Sequence, residues 1–372
     1  MIINSQLLFP EFWFTGWDLI DQGILNFQNQ VSRSIETTLS SSGKSVTVPI
    51  QPDMGDADDY DVKNPPPVSN FTQRTIEVSL TQRKKKTIEL NSEELSLSPY
   101  SLIENYAAPM ALSIYRSVNK FIYTNLLKTS NIIDGRSSFD KSTLIALRTM
   151  MSNNKVTGTK NLVVSPDDYG NILSIPELLK ANESGSSGAI QNGIVATALG
   201  FNISENHTIE TYTPADLVGA VNYPAGYTQG ETKIVVNGFI DSANPLKVGD
   251  VFKIAGETGS PFHAILSTTV TAGNTTEITF DPPLRSAVPN SAAVTITPTK
   301  SLVGFTPSAF AFAARAYNQF PAGTGVNSAV AMLAGLPIRI SVWVEGLILK
   351  VQYDLLYGGE VVNANRIARI IT

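Results

Sequence analysis

The longest regular pattern of apolar and polar positions in the chain runs from Ser98 to Lys128. Its apolar residues recur at steps of three and four, which places their side chains on one face of an α-helix. They are Leu102, Ile103, Tyr106, Met110, Ile114, Tyr115, Val118, Phe121 and Ile122. A helix of about 30 residues is roughly 45 Å long. We expect it to lie across a sheet or along a neighbouring subunit, with an ordinary core helix as the alternative.

The first 40 residues combine a cluster of aromatic residues with weak helical periodicity. The aromatic residues are Phe9, Phe12, Trp13, Phe14 and Trp17. This pattern is compatible with an arm that contacts other molecules. It is equally compatible with a helix that packs on the core of its own chain, so both interpretations stay open.

The character of the chain changes at residue 43, where β-like alternation begins. Residues 44–50 and 71–80 are typical of strands. Between them lies a segment rich in acid and proline, with aspartates at Asp53, Asp56, Asp58, Asp59 and Asp61. Because connections of this length are uncommon in compact domains unless they are functional, the pattern favours an extended hairpin that reaches another molecule.

Four consecutive basic residues follow this hairpin, namely Arg83, Lys84, Lys85 and Lys86. Such a run is usually a solvated face, and nucleic-acid binding would favour interleaved aromatic residues. Another hypothesis is that the run meets the acidic tip of a neighbouring copy. Exposed ion pairs contribute only about 0–1 kcal/mol each, so these contacts would align subunits more than hold them together. A short strand is predicted next, at residues 87–90.

Residues 131–222 show the mixed pattern of an α/β region. A helix is predicted at residues 138–151 with Leu144, Ile145, Leu147 and Met151 facing inward, followed by a short buried strand at 162–164. Ser165 and Pro166 then open another helix. Asp167 and Asp168 fall in its first turn, where the helix dipole favours acids. Capping therefore explains this acidic pair better than a catalytic dyad does. Residues 189–203 are strand-like.

From residue 223 to residue 300, short apolar β runs recur between glycine and proline turns. The runs cover residues 233–240, 251–255, 264–270, 277–280 and 293–296. Because no helical pattern interrupts them, this part of the chain is predicted to be a small all-β barrel inserted into the α/β region.

The remaining residues return to a mixed pattern. A helix is predicted from Thr306 to Tyr317, and residues 322–335 are predicted to form a buried or interface loop. Residues 338–344 and 347–353 form a hairpin around Glu345 and Gly346, and a last strand covers residues 366–371. We expect these final strands to form the sheet on which the long helix lies.

Composition excludes several functional classes. The chain has 372 residues, a net charge of −5, no cysteine and only two histidines. An acidic chain lacks the basic footprint of a general nucleic-acid binder, and thiolate or histidine-rich metal sites are impossible. The N-terminus does not have the pattern of a signal peptide, and we find no long apolar segment of membrane type.

Motifs for nucleotide binding, serine hydrolysis and zinc proteolysis are absent. The pairs Ser41/Lys44 and Ser117/Lys120 match a serine-acylase spacing but lack the partner motifs. No catalytic, cofactor-binding or metal-binding residue is therefore predicted.

Three segments resemble one known family. They are GIVATALGFNISEN at residues 193–206, PLKVGDVFKIAG at 245–256, and GLPIRISVWVEGLILKVQYDLLYGG at 335–359, where Asp354, Tyr357 and Gly358 end a strand pair. With the order of elements, they make the chain similar to major capsid proteins of tailed bacteriophages. It resembles in particular the P22 coat-protein group of the HK97 capsid fold, which carries an inserted β-barrel.

The resemblance implies an α+β fold with named parts. Residues 1–40 would be the N-terminal arm, 41–80 the extended E-loop hairpin, and 223–300 the inserted barrel. The peripheral domain would contain residues 81–130 and 336–372, with the spine helix at 99–128. The axial domain would contain residues 131–222 and 301–335.

The resemblance also implies a function without catalysis or cofactors. Many copies, as hexamers and pentamers, would form an icosahedral virion shell in the host cytoplasm and enclose double-stranded DNA without reading its sequence. Scaffolding, portal and decoration proteins are candidate partners. The candidate interface residues are Phe12, Trp13, Trp17, the five aspartates of the tip and the four basic residues. The alternatives are an encapsulin-like cellular shell and a monomeric module that binds a ligand through the barrel.

Overall fold

The structure is a computed structural model. It describes residues 10, 13, 26–35, 44–50, 73–91, 106–136, 139–179, 195, 197–207, 209, 218–239, 246–271, 275–297, 300–321, 323–333 and 335–372. The described part of the chain is mixed α+β and consists mostly of strands.

The helices within the described ranges are α1 (Asn26–Gln30), α2 (Ala108–Leu126), α3 (Lys141–Asn153), α4 (Pro166–Leu173) and α5 (Pro176–Leu179). The strands are β1 (Ser45–Pro49), β2 (Thr75–Ser79), β3 (Gln82–Asn91), β4 (Ile132–Asp134), β5 (Lys160–Val164), β6 (Thr197–Ala198), β7 (Phe201–Glu205), β8 (Val218–Val221), β9 (Lys233–Asn237), β10 (Val251–Ile254), β11 (His263–Thr271), β12 (Thr275–Asp281), β13 (Ala293–Thr297), β14 (Ser301–Phe305), β15 (Phe310–Arg315), β16 (Val326–Leu333), β17 (Leu336–Glu345), β18 (Ile348–Val361) and β19 (Ile367–Ile371).

A five-stranded sheet forms around the long strand β18. Its first half pairs with β17 on one edge and with β3 on the other, and its second half pairs with β15, while β16 extends the sheet beyond β17. The predicted hairpin is confirmed, because Glu345 pairs with Ile348 across a two-residue turn. Gly346 has φ of 64° in that turn, a conformation that glycine adopts without steric cost.

The long helix α2 lies on this sheet. Ile114, Tyr115, Val118 and Ile122 are buried in a core shared with Ile340, Val351 and Leu355. The described helix begins at Ala108, so the predicted start at Ser98 lies outside the described residues. Tyr106, predicted on the apolar face, is 37 % exposed because it precedes the first α-helical turn.

Two predictions for residues 306–335 are wrong. The segment after Thr306 makes only a short 3-10 turn, Pro307–Ala309, and then the strand β15. The predicted loop at 322–335 contains the strand β16, which pairs with β17 along its whole length. Residues Phe310–Ala314 are all buried. A run buried on both faces shows no strand alternation, and its apolar residues also fit a helix.

A second sheet has six strands in the order β4, β19, β14, β5, β7 and β6. The final strand β19 therefore does not lie under α2 with β17 and β18, as the sequence predicted. It pairs with β14 and β4 instead. Conversely, β15 and β16 belong to the first sheet, although they fall within residues 301–335. Strand pairing therefore divides the chain differently from the predicted peripheral and axial ranges.

The helices α3 and α4 pack beside this second sheet. Leu144, Leu147 and Met151 are buried as predicted, but Ile145 is 43 % exposed. Ile145 lies about 100° around the helix from its neighbour Leu144 and so leaves the narrow apolar stripe. The capping interpretation of α4 is confirmed, because the Ser165 hydroxyl oxygen accepts from the Asp168 amide at 3.2 Å.

Strands β8 to β13 form a closed six-stranded barrel in the order β10, β11, β12, β9, β8 and β13. Its interior is filled by alternate residues such as Ile234, Val236, Ile278 and Phe280. The barrel includes β8, which precedes residue 223, so it begins before the boundary that the sequence predicts. A four-residue strand with two glycine or alanine positions carries too little pattern to be recognised from the sequence.

The segment Asp354-x-x-Tyr357-Gly358 of β18 combines three structural roles. The Asp354 carboxylate accepts from Arg339, with Nη2 to Oδ2 at 2.6 Å, and both residues are buried. The hydroxyl of Tyr357 donates to the Ser117 carbonyl of α2 at 3.2 Å. A Cβ atom on Gly358 would lie 2.0 Å from the Ser79 carbonyl oxygen, so the end of β2 approaches β18 because this position has no side chain.

We expect Gly358→Ala to lower the free energy of unfolding by about 1–3 kcal/mol, the usual cost of overpacking. The new methyl group would displace the backbone where β2 meets β18. Urea denaturation followed by circular dichroism measures the effect.

Gly170→Ala is the matched control, because no atom of the described residues lies within 4 Å of its Cβ position. Alanine favours the helix α4 by up to about 1 kcal/mol, so this variant should be as stable as the parent chain or more stable. Equal stability of both variants would show that the close approach at Gly358 is not required.

Candidate intersubunit surfaces

The hairpin predicted to reach another molecule is present as a two-stranded ribbon. Strands β1 and β2 pair in antiparallel register from Ser45 with Ser79 to Pro49 with Thr75. Among the described residues of the ribbon, Val78 and Leu80 are buried at its base, while every residue of β1 is exposed or half-buried. Since a two-stranded ribbon is marginally stable alone in water, this one depends on its base or on a further contact. The five aspartates of the tip lie outside the described residues.

The four basic residues all lie on β3, which is longer than the predicted strand at 87–90. The strand pairs with β18 in the register Arg83 with Leu356 to Lys86 with Tyr353. All four side chains are exposed, and β3 has no second neighbour among the described strands. Charged residues on an edge strand discourage uncontrolled pairing with other sheets. The basic run therefore forms a charged edge of the five-stranded sheet.

Alternation along β3 divides the basic residues between the two faces of the sheet. Leu90 is buried under α2, so Lys84 and Lys86 lie on the side of the helix, while Arg83 and Lys85 lie on the opposite side. The run thus presents positive charge to both faces.

An open groove of about 360 Å³ lies between β3, α2 and the barrel. Lys84, Lys120 and Lys128 line its walls, and Phe121, Val248 and Tyr357 form its apolar part. Lys128 also contacts Glu360, with Nζ to Oε1 at 3.5 Å. The helix α2 contains no acidic residue, so the groove is predominantly positive. Sequence reasoning missed this groove, since it combines residues from three parts of the chain.

The candidate Trp13 is buried within its own chain. Its side chain is 1 % exposed and belongs to the core beneath α2. The hydroxyl of Tyr353 donates to the Trp13 carbonyl oxygen at 2.7 Å, and burial raises the pKa of Tyr353 above its usual range. Phe27 of α1 is also fully buried. For these residues the own-core alternative is correct, whereas Phe12 and Trp17 lie outside the described residues.

The described residues offer no obvious chemistry for catalysis. No group of three or more described histidine, aspartate or glutamate side chains could hold a metal ion. The pair His263 and Glu257, with Nε2 to Oε2 at 2.7 Å, is completely buried in the barrel. The Glu257 carboxylate also accepts from the Arg285 amide at 2.8 Å. Both residues therefore link barrel segments and are closed to a substrate. Within the described ranges, we also find no helix with the length and apolarity needed to cross a bilayer.

Comparison with solved structures places the fold among known ones. A structure from Mycobacterium phage Che8 matches with a TM-score of 0.53 at 14% sequence identity, over 92% of this chain and 90% of that one. The capsid structure of cyanophage P-SCSP1u matches with a TM-score of 0.51 at 10% identity, over 89% and 84%. This chain has a phage capsid fold. The resemblance drawn from its sequence is confirmed at the level of the fold.

No protein-family model and no curated protein sequence matches the chain. At 14% identity or less, the two structural matches establish a shared fold and not a shared set of contact residues. The surfaces through which this capsid-fold chain meets other molecules must therefore be argued from its own residues.

We expect Trp13→Ala to lower the free energy of unfolding by about 3–5 kcal/mol, as is usual for loss of a large buried aromatic side chain. Thermal unfolding of the unassembled chain measures this effect.

Val270→Ala is the control, because Val270 is 76 % exposed on the barrel and its truncation should leave stability within about 0.5 kcal/mol. If Trp13→Ala leaves stability unchanged but reduces association between copies, Trp13 contacts another copy and not its own core.

Proposed function

We propose that this chain is the major capsid protein of a tailed bacteriophage. Many copies, arranged as hexamers and pentamers, form the icosahedral shell of the virion and enclose double-stranded DNA. The observation that carries the proposal is the match to the cyanophage capsid structure over 89% of this chain. The chain acts through its surfaces rather than through a reacting group, and it assembles in the host cytoplasm.

The elements of the fold suit the parts of an HK97-type subunit. Residues 41–80 serve as the E-loop, α2 as the spine helix, and the closed barrel as the inserted domain. The five-stranded sheet under α2 is the peripheral domain, and the six-stranded sheet with α3 and α4 is the axial domain. This assignment follows strand pairing, and so places β15 and β16 in the peripheral domain and β19 in the axial domain.

The ribbon of β1 and β2 supports a role for the E-loop in joining subunits. It extends from a buried base, and its strands bury little surface within their own chain. A segment that is anchored at one end and exposed along its length can bury its apolar and polar groups against another copy. Each such contact is modest, but a closed shell engages many at once, and the combined effect holds the particle together.

Charge complementarity supports a binding surface for the acidic tip on a neighbouring copy. The five aspartates between Asp53 and Asp61 carry the opposite sign to β3 and to the groove lined by Lys84, Lys120 and Lys128. We place the tip of one copy against this basic surface of a neighbouring copy. Single exposed ion pairs contribute about 0–1 kcal/mol each, so the contact aligns two subunits without binding them tightly. A misplaced subunit can therefore dissociate while the shell grows.

An acidic subunit also suits the contents of the shell. DNA inside a capsid must stay mobile enough to enter and leave, and a net charge of −5 disfavours general adhesion to phosphate. The chain therefore encloses DNA without sequence-specific recognition.

Electron microscopy of the purified chain tests this function directly. We expect closed particles from the full-length chain, whereas deletion of residues 53–67 should abolish particles and leave circular dichroism and melting temperature nearly unchanged. The deletion keeps the paired strands β1 and β2 and removes none of the described residues.

The outcomes separate the alternatives. A chain that stays monomeric at all concentrations would contradict the capsid function and favour a binding module. Particles that form on infection or expression but package protein cargo and no DNA would favour an encapsulin-like shell. Normal particles from the deletion variant would contradict the joining role of the E-loop.

Charge reversal tests the proposed contact between the acidic tip and the basic surface of a neighbouring copy. We expect Lys84→Glu with Lys85→Glu to slow assembly, measured by light scattering, and Asp56→Lys with Asp58→Lys in the same chain to restore it. The wild-type rate should fall as salt rises from 0.1 M to 1 M, because the screening length falls from about 10 Å to about 3 Å.

Lys233→Glu with Lys141→Glu is the matched control, since both lysines are exposed and lie outside β3 and the groove. An equal effect of the control pair, or no rescue by the reversed tip, would show that only net charge matters.

A further inference from the structure

The chain contains two buried arginines in opposite electrostatic situations. Arg339 lies in the five-stranded sheet and Arg369 in β19 of the six-stranded sheet. The guanidinium of Arg339 donates to Asp354 and to the Asn318 carbonyl, and it stacks on Phe320. Arg369 is 0 % exposed, and its Nη1 donates to the Gly249 carbonyl oxygen at 2.6 Å. Its Nε and Nη2 are buried without a hydrogen-bond partner among the described residues.

The hydrogen-bond partner of Arg369 belongs to the barrel. Gly249 lies in the turn before β10, whereas Arg369 belongs to the two-sheet body of the chain, which we call the body. Gly249 has φ of 93°, and a Cβ atom there would lie 2.5 Å from the Cβ atom of Leu127 at the end of α2. The turn thus touches both α2 and β19. This contact is one part of the junction between barrel and body; elsewhere the Arg136 guanidinium of the body lies 5.5 Å from the centroid of the Phe262 ring of the barrel.

The junction also contains an acid, Asp250, which is half-buried. The Asp250 carboxylate accepts from the Lys247 amide at 2.8 Å, and burial raises the pKa of Asp250 to about 6. Burial likewise lowers the pKa of Arg369 to about 10. The titratable groups that face this pair are Lys247 of the same turn and, from α2, the phenol of Tyr123. In both residues, desolvation outweighs the attraction between opposite charges.

A buried guanidinium with most donors unused destabilises the state that buries it, because removal from water costs more than its remaining contacts return. The docked barrel therefore holds Arg369 and Asp250 in a less favourable environment than water would provide. Beside this hydrogen bond, the turn packs Gly249 against Leu127. Release of the turn would give the Arg369 guanidinium and the Asp250 carboxylate more contact with water.

We propose that the contact between Arg369 and the Gly249 turn is reversible, and we call it the latch. The barrel docks on the body at this contact and separates from it when the charges of Arg369 and Asp250 become hydrated. The latch makes barrel orientation an adjustable property of the subunit. It also has a defined response to pH.

The direction of this response follows from the proton held by Asp250. Its pKa is about 6 in the docked state and returns towards the ordinary value of about 4 on release. Because the docked state binds the proton more tightly, docking is favoured by acid and weakened as pH rises through 6. A stabilising salt bridge would give the opposite sign. Arg369 stays protonated throughout this range and adds no pH dependence there.

Thiol labelling of Leu127→Cys measures release, since the chain has no other cysteine and Gly249 packs against this half-buried position when docked. The comparison is the same variant with Asp250→Asn, which keeps an acceptor for the Lys247 amide. We divide the labelling rate of the chain that retains Asp250 by the rate of the chain with Asp250→Asn. We expect this ratio to rise about tenfold between pH 5 and pH 7.5. Because both chains carry the same thiol, the ratio removes the pH dependence of the labelling reaction itself. A ratio that stays constant or falls with pH would contradict the proposed latch.

Thermal unfolding supplies a second test with a matched control. Arg369→Met with Asp250→Asn removes both charges of the junction, so we expect a melting temperature equal to or above that of the parent chain and slower labelling of Leu127→Cys. Arg339→Met should lower the melting temperature clearly, because it leaves the buried Asp354 carboxylate without its guanidinium partner. If the Arg369 double variant is destabilised as much as Arg339→Met, the junction is an ordinary stabilising contact. Both measurements use the unassembled chain and are independent of shell formation.

Discussion

The pairing of β18 on both of its edges is the constraint on which the rest of the structure depends. This strand joins β17 and β15 on one edge and β3 on the other. Its buried residues Val351, Leu355 and Tyr357 belong to the core under α2. Loss of β18 would separate the long helix, the basic edge strand and the base of the β1–β2 ribbon at once. One strand therefore couples the core to the exposed surfaces.

This coupling explains how a chain can be stable alone and still carry surfaces for other copies. The ribbon of β1 and β2 adds little to the core, but its base at Val78 and Leu80 is fixed against the sheet. The charged edge of β3 limits uncontrolled strand addition. Stability is concentrated in the two sheets and the barrel, while the contacts assigned to assembly lie at positions that the core does not need.

The two buried arginines show how the same chemistry can fix one region and loosen another. Arg339 has a carboxylate, a carbonyl and an aromatic ring around it, so its charge is compensated within the sheet. Arg369 donates to a carbonyl from a different part of the fold. Because the charge of Arg339 is compensated within one sheet, this region is rigid. The charge of Arg369 is compensated incompletely between barrel and body, and the strength of that contact depends on the protonation of Asp250.

The sequence by itself determined the elements whose patterns are local. Periodicity predicted the buried face of α2, the turn at Gly346 predicted the hairpin of β17 and β18, and Ser165 with Pro166 predicted the start of α4. It also supplied the family resemblance, in which Asp354, Tyr357 and Gly358 proved to have packing and hydrogen-bonding roles.

Only the tertiary structure decided which strands share a sheet and which residues face each other across the chain. The apolar run of β15 fits helix and strand equally until β18 provides its hydrogen-bond partners, and Trp13 became a core residue because the Tyr353 hydroxyl and the space beneath α2 receive it. The lysine groove and the Arg369 junction each combine residues distant in sequence. Local patterns report how a segment can bury its own apolar side chains, whereas burial of charge and pairing of edges depend on partners that only the folded chain brings together.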